Sequence, residues 1–504
     1  MTDPDTPSRP SRAERRAERV AAKQNAATSG HDVEPTSRRG SSPSFARRRR
    51  AALRVGAGVA GAALAAAAVV LPQLVPVPLA SRAAEGVVVT PVAADSTLVC
   101  GGDLVDASEP DQLRAFDGAS TTVWPDGSAS APRPLEERDV AAPGTGATRL
   151  SVPADADPVP GGVTTQALAN DTISGLAARG CAEASADSWL VAGSTDVGRT
   201  SIVVLANPSA VSATVDLALY GENGSIAATG ATGIVVPAGS VRSLPLAGLA
   251  PDVVQPVVRM TARGGEIAAS LQSSAISGLT PEGVESTGPA AAPSTTTVIS
   301  GFTVASPPAA SGDDDGGGSA PSLRLLAPGT ADSTVSIEVA NEDPAGLGTS
   351  TQVVVPAGRV FEVPLTGLGE GSYKVTLTSD QPVVAAGRST STGQAGTDFA
   401  WFVSGTATSK AFGVANTGLP GARLHLANAS DTSASVVLSS AGGSRTVAIG
   451  PFAAVSTELG SDSVVVTSDQ PVQASVSLAA EGRIASYAIV PPGPLSSPVT
   501  VYAH

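Results

Sequence analysis

Apolar and polar side chains alternate along SATVDLALYG (212–221), STVSIEVA (333–340) and YKVTLTS (373–379). That is the period of a strand with one buried face and one wet face. Val, Ile and Thr dominate these runs, and Pro-Ala-Gly or Gly-Gly steps interrupt them. Between 187 and 297 the pattern predicts strands at 189–194, 202–206, 213–220, 233–236, 241–246, 256–262 and 266–272. Seven short strands in about a hundred residues fit an immunoglobulin-like or fibronectin-III-like β-sandwich. A propeller blade, with four strands in roughly 40–50 residues, fits less well.

The pattern repeats. IVVPAGSVRSLPLAGL (234–249) aligns without gaps on VVVPAGRVFEVPLTGL (353–368), and TSDQPV occurs at 378–383 and 467–472. IVVLANPS (202–209), LRLLAPGT (323–330) and LHLANASD (424–431) form a third set. WLVAGST (189–195), VISGFTV (298–304) and WFVSGTA (401–407) form a fourth. Their order predicts tandem β-sandwich modules at 187–297, 298–400 and 401–504. SPPAASGDDDGGGSAPS (306–322) is read as a flexible insertion in the middle module. Its Asp313, Asp314 and Asp315 lack the ligand spacing of a Ca²⁺ loop. Residues 84–186 read as a strand-rich lead-in or a degenerate β module.

The N-terminus differs. Residues 1–54 carry a net charge of +7 in a chain of net −14, so the remainder carries −21. The basic excess culminates in Arg47, Arg48, Arg49, Arg50 and Arg54, and Val55 to Leu71 then holds no polar side chain. Residues 1–50 are accordingly read as a disordered basic cytoplasmic tail and 51–80 as a single transmembrane signal-anchor, oriented by the flanking arginines. A cleaved secretory signal is the rival reading, although the basic region is long for one and Ser81-Arg82-Ala83 is a mediocre cleavage sequence. Both readings put the rest of the chain outside the cytoplasm. Cys100 and Cys181, the two cysteines of the chain, lie in that part and are expected to form a disulfide.

Composition removes much chemistry. Of 504 residues, 15 % are charged and 3 % aromatic, with three His, 54 Gly and 40 Pro. No G-x-S-x-G, H-E-x-x-H or Walker pattern occurs, and Gly316-Gly317-Gly318 has no following Lys. His425, in Leu424-His425-Leu426, is expected on the wet face of a strand. No catalytic, metal-ligating or cofactor-binding residue is assigned. Trp189 and Trp401 fall at what the fourth set reads as equivalent first-strand positions, which favours core packing. Trp124, in Thr122-Val123-Trp124-Pro125, is the one candidate for ligand contact. Asn207 and Asn428 end similar strands and are expected to cap turns through Asx hydrogen bonds. A pI of 4.7 argues against a nucleic-acid partner.

The series Cys181, Trp189 and LANPS within 175–221, followed by IVVPAGSVRSLPL (234–246) and ARGGEIAASLQ (262–272), resembles a family of actinobacterial membrane-anchored or secreted proteins with no assigned activity. The resemblance implies an envelope protein and supplies no catalytic residues. The expected function is therefore non-enzymatic: a membrane-anchored extracytoplasmic envelope protein whose β-sandwiches scaffold or bind. The alternatives are a cell-wall glycan-binding module, an accessory subunit of a membrane glycosyltransferase or export complex, or a hydrolase using two carboxylates in 84–186. The expected partners are the membrane, through one N-terminal helix, and a protein or a wall glycan.

Overall fold

The computed structural model describes residues 87–89, 95–109, 112–141, 144–305, 320–342, 348–491 and 499–501. The tail 1–50, the anchor segment 51–80 and most of the insertion 306–322 lie outside them. Among the described residues the chain is all-β, with one 3-10 turn at Leu246–Gly248. No helix there is long and apolar enough to cross a membrane.

Strand order repeats four times. In the first repeat one sheet orders Asp187–Val191, Val257–Arg263 and Ala213–Gly221, with Ile234–Val236 at its edge. The other orders Thr280–Thr287, Ala268–Ser277, Arg199–Asn207 and Ser240–Pro245. All seven strands read from the alternation are present, and Gly224–Ile226 and Thr280–Thr287 are additions. In the second repeat the long strand Gly371–Gly393 crosses both sheets: its first part pairs with Ser294–Val304 and Ser333–Asn341, its last part with Ser322–Leu326 and Gly396–Val403. The third repeat reproduces the order with Phe412–Val414, Val464–Ser468 and Ala434–Ser440 in one sheet, and Arg483–Ile489, Val472–Ala480 and Ala422–Asn428 in the other. The lead-in has a shortened version: Ser96–Cys100, Thr148–Val152, Arg133–Pro134, then Ser174–Gly180, Gly161–Ala169, Ser120–Trp124.

The repeated TSDQPV is the corner where the chain passes between sheets. Asp380 Oδ1 accepts the Thr334 N–H at 2.8 Å, and Asp469 Oδ1 accepts the Ser435 N–H at 2.7 Å, so one carboxylate fastens the corner to the neighbouring strand in both copies. The boundary expected at 400/401 falls inside the strand Gly396–Val403. Trp401 therefore lies in the last strand of the second repeat, whereas Trp189 lies in the first strand of the first, and the two positions are not equivalent. The two segments look alike because in each a Trp opens a short apolar run that a Gly follows at the fifth position, Gly193 or Gly405.

Each sheet pair encloses an apolar core, and each core continues onto the next unit. The first core, around Leu190, Leu205, Val258 and Leu271, takes in Leu326, Ala386, Phe399 and Trp401 of the second repeat. The second core takes in Ile484 of the third. The third core takes in Val163, Leu176 and Ala178 of the lead-in. The lead-in in turn packs Val99 and Leu135 against Ala206 and Val241 of the first repeat. Four units thus close a cycle. At its centre Ser174–Gly180 packs on Thr280–Thr287 and Arg483–Ile489, and Gly396–Val403 packs on the same two strands from the other side.

Candidate functional site

The four central strands meet on a carboxylate. Asp398, fully buried in Gly396–Val403, accepts N–H groups from all four. Its Oδ2 takes Leu176 at 2.9 Å and Ile484 at 3.2 Å; its Oδ1 takes Val284 at 3.2 Å and its neighbour Phe399 at 3.0 Å. The strands come this close because two positions carry no side chain. A Cβ on Gly175 would stand 2.6 Å from Asp398 Oδ1, and one on Gly283 2.7 Å from it. Glu285, also fully buried, accepts Ser286 N–H at 2.7 Å and Ala178 N–H at 3.3 Å, while its Oε2 has no hydrogen-bond partner. Burial pushes Asp398 up to about 7 against the opposing pull of its N–H donors. Burial also raises Glu285 well above the ordinary carboxylate range, with the nearby Asp398 adding to it. Sequence reading missed both acids, because TPEGVEST (280–287) and GTDF (396–399) look like polar loop segments; an acid two residues after a Gly, before each repeat boundary, was the available signal.

His425 corrects an expectation. It is fully buried, not on a wet face, because the second repeat covers its strand. Its Nδ1 lies 2.6 Å from Glu342 Oε2, and its Nε2 lies 2.8 Å from Ser477 Oγ. Glu342 Oε1 accepts the Gly301 N–H at 2.7 Å. The order Ser, His, Glu is that of a hydrolytic triad. All three are buried, however, with Ser477 1 % exposed, and Gly301 packs directly over the imidazole. The constellation bonds the second repeat to the third and leaves a substrate no approach to Ser477.

The remaining sequence candidates are placed as follows. Cys100 and Cys181 form the disulfide, which links the strand Ser96–Cys100 of the lead-in to the residue that follows Ser174–Gly180. Trp124 is half-buried against the third core near Phe412 and Val414, with Nε1 buried and unpartnered. Trp189 stacks on Tyr220 at 6.1 Å with Arg259 over it, and Trp401 lies under Arg324 at 4.5 Å. The Asx bonds are present in both copies: Asn207 Oδ1 accepts Ser209 N–H at 3.0 Å, and Asn428 Oδ1 accepts Ser430 N–H at 2.9 Å. Among the described residues no group of three or more His, Cys, Asp or Glu is arranged to hold a metal ion.

A cup of about 400 Å³ opens where the central strands end, lined by Gly180, Thr287, Val403 and Tyr487, with Trp189 and Trp401 in its wall. Small neutral and apolar groups dominate it, and Glu183 and Asp187 bring two carboxylates to its lining.

A model of DUF5719, a family of unknown function, matches residues 139–451, more than half of the chain. The chain belongs to this family. The match runs from the middle of the lead-in, through two whole repeats, into the third, so it covers Glu285, Asp398 and His425. No curated protein matches the chain. Two solved structures share short local likenesses. The crystal structure of Thermotoga maritima 1070 is 16 % identical, with 22 % of this chain and 90 % of that one covered at a TM-score of 0.18. The Anabaena sensory rhodopsin transducer is 20 % identical, with 18 % and 85 % covered at a TM-score of 0.15. At these scores neither likeness carries an argument about fold or function.

Proposed function

We propose that this member of the family is a non-enzymatic, membrane-anchored protein of the cell envelope whose four β units form one rigid extracytoplasmic body that binds or scaffolds other components. One observation carries the reading: the groups best suited to acid–base work are used to hold the units together. Asp398 is spent on four backbone N–H groups, and His425 and Glu342 are spent on each other across a joint. The disulfide agrees with an oxidising compartment, and the basic flank followed by the apolar stretch 51–80 agrees with a single anchor. Each two-sheet unit is taken as an immunoglobulin-like or fibronectin-III-like sandwich, built for contact surfaces.

The test uses the full-length protein in detergent, in a pull-down from membranes alongside sedimentation with cell-wall sacculi. Stoichiometric recovery of a membrane partner, or saturable sedimentation, supports the reading. Recovery only from the cytoplasmic fraction, with neither partner nor wall, overturns it.

A further inference from the structure

The cup at the end of the central strands is walled by the connections between units. Residues 182–185 run from the lead-in to the first repeat, 288–292 from the first repeat to the second, and 404–406 from the second to the third. Ala, Gly, Ser and Pro predominate in them, so three chain crossings meet without side chains large enough to close the space. Val403 and Val490 supply apolar wall, and Val490 is itself an exposed large apolar side chain. No Lys, Arg or His lines the cup. Neither of its two carboxylates is free: Asp187 is bonded to Arg259 at 2.6 Å, and Glu183 has an interaction of its own. A bound anion would therefore meet like charge with no cation to hold it, and a bound cation would have to compete with Arg259.

Two hydroxyls of the wall point to the polar part of a ligand. Thr287 is 3 % exposed and its Oγ1 has no hydrogen-bond partner. A turn about χ1 exchanges its methyl for that hydroxyl, at a cost that a hydrogen bond to a ligand offsets. Tyr487 is buried, and burial alone pushes its phenol above the ordinary range, so it stays an O–H donor. Both groups can donate to a carbonyl or hydroxyl oxygen. The aromatic rings do not make the cup a platform for a sugar. Trp189 is buried, stacked on Tyr220 and covered by Arg259, and Trp401 is buried under Arg324, so neither keeps an open face. The volume of about 400 Å³ is that of a small-molecule site, commonly about 300–1,000 Å³.

We infer that the cup binds a small uncharged molecule with an aliphatic body and one carbonyl or hydroxyl group. The inference deepens the binding reading above and rests on it only in taking the cup as a contact surface. It is tested on purified protein, so its failure leaves the cellular location and partners untouched.

The full-length protein, labelled with fluorotryptophan, is placed in lipid nanodiscs, because detergent tails would compete for the cup. Fluorine NMR then follows titrations with hexanol, hexanoate and hexylammonium. Trp189 and Trp401 line the cup and Trp124 does not, so the three tryptophans of the chain report separately. The expected result is a saturable shift of Trp189 or Trp401 with hexanol while Trp124 stays still, and weaker binding of both charged analogues by about tenfold or more. Thr287→Val should weaken hexanol by about fivefold or more and leave the urea midpoint unchanged or raised, because the hydroxyl it removes has no partner in the protein. If that variant does not fold, Tyr487→Phe replaces it. Gly405→Leu should abolish the shift: a Cβ there meets only Ala488 Cβ, at 3.8 Å, so the added side chain fills the cup without a clash. A charged analogue bound as tightly as hexanol, no saturable shift, a shift of Trp124 alone, or unchanged affinity in a folded variant overturns the inference.

Discussion

Arg324 and His425 occupy the same position of the same strand in consecutive repeats. Each follows an inward-facing leucine, Leu323 or Leu424, and each turns away from its own core towards the preceding unit. The two joints are nevertheless built differently. Arg324 keeps its counter-charge, Glu362, within its own sheet and reaches across the joint to backbone carbonyls. His425 finds its carboxylate, Glu342, across the joint and its serine, Ser477, within its own sheet. The difference is one of specificity. A carbonyl is offered by any residue type, so the first joint depends on backbone position. The second depends on the identity of two side chains. In the first repeat Val204 stands at this position and meets the lead-in with apolar contact alone.

The largest expected effect removes what the joints share. Asp398→Ala leaves four buried N–H groups without an acceptor, and each such orphan costs about 1–3 kcal/mol. Even after crediting the relief of a buried carboxylate, a loss of more than about 4 kcal/mol is expected in urea unfolding. A loss below about 1 kcal/mol would mean that the central strands are held by their side-chain cores alone.

The next effect separates the joints. Arg324→Ala opens a cavity beside Trp401 and strands the Gly193 and Pro256 carbonyls, for roughly 3–5 kcal/mol. His425→Ala should cost less, about 2–3 kcal/mol, chiefly by leaving the Glu342 charge buried. A second change then discriminates. Glu342→Gln in the His425→Ala background should recover part of the loss, because it removes the charge that lost its partner. Glu362→Gln in the Arg324→Ala background should recover little, because Glu362 has a 26 % exposed side chain that water can reach. Equal recovery in both cycles would erase the distinction between the joints.

A smaller effect follows pH. The folded chain holds Asp398 at about 7, above the ordinary value of 3.8. Between those two values the folded state binds the proton that the unfolded state has released. Stability from this group is therefore fully present below about pH 4 and is lost as pH rises to about 7, and Glu285, also raised by burial, acts in the same direction. Between pH 5 and 7 the expected fall is on the order of 2 kcal/mol. Asp398→Asn should flatten it, as read from urea midpoints at the two pH values.

Much of the fold was legible and its closure was not. Alternation located every strand of the first repeat that has one apolar face, and the two cysteines of the chain announced their disulfide. Alternation also says that a second face is polar, but not whether water or a neighbouring unit covers it. His425 was misjudged for that reason, since a serine, a glutamate and a glycine backbone replace water around it. The central strands escaped notice because their partners are backbone amides from distant segments. Asp398 bonds residues 222 and 86 positions away, and a local window carries no trace of such contacts.

The smallest effect tests whether the repeats stand as separate units away from their joints. Asn207 and Asn428 sit three residues beyond the joint position and make matching bonds. Asn207 Nδ2 donates to Val211 O at 2.8 Å and Val236 O at 2.9 Å; Asn428 Nδ2 donates to Thr432 O at 2.7 Å and Gly450 O at 2.9 Å. Each amide closes its own turn and pins it to the strand that leads into the next crossing, without touching another unit. Asn207→Ala and Asn428→Ala should therefore each cost about 1–2 kcal/mol and agree within about 0.5 kcal/mol, and the double variant should lose their sum. Asparagine to aspartate should cost more at both places, because a carboxylate keeps the acceptor but faces two carbonyls without a proton to offer. If instead the loss at Asn428 exceeds that at Asn207 by more than about 1 kcal/mol, the His425 joint three residues away is coupled to the turn. The difference between the joints then extends into the repeats themselves.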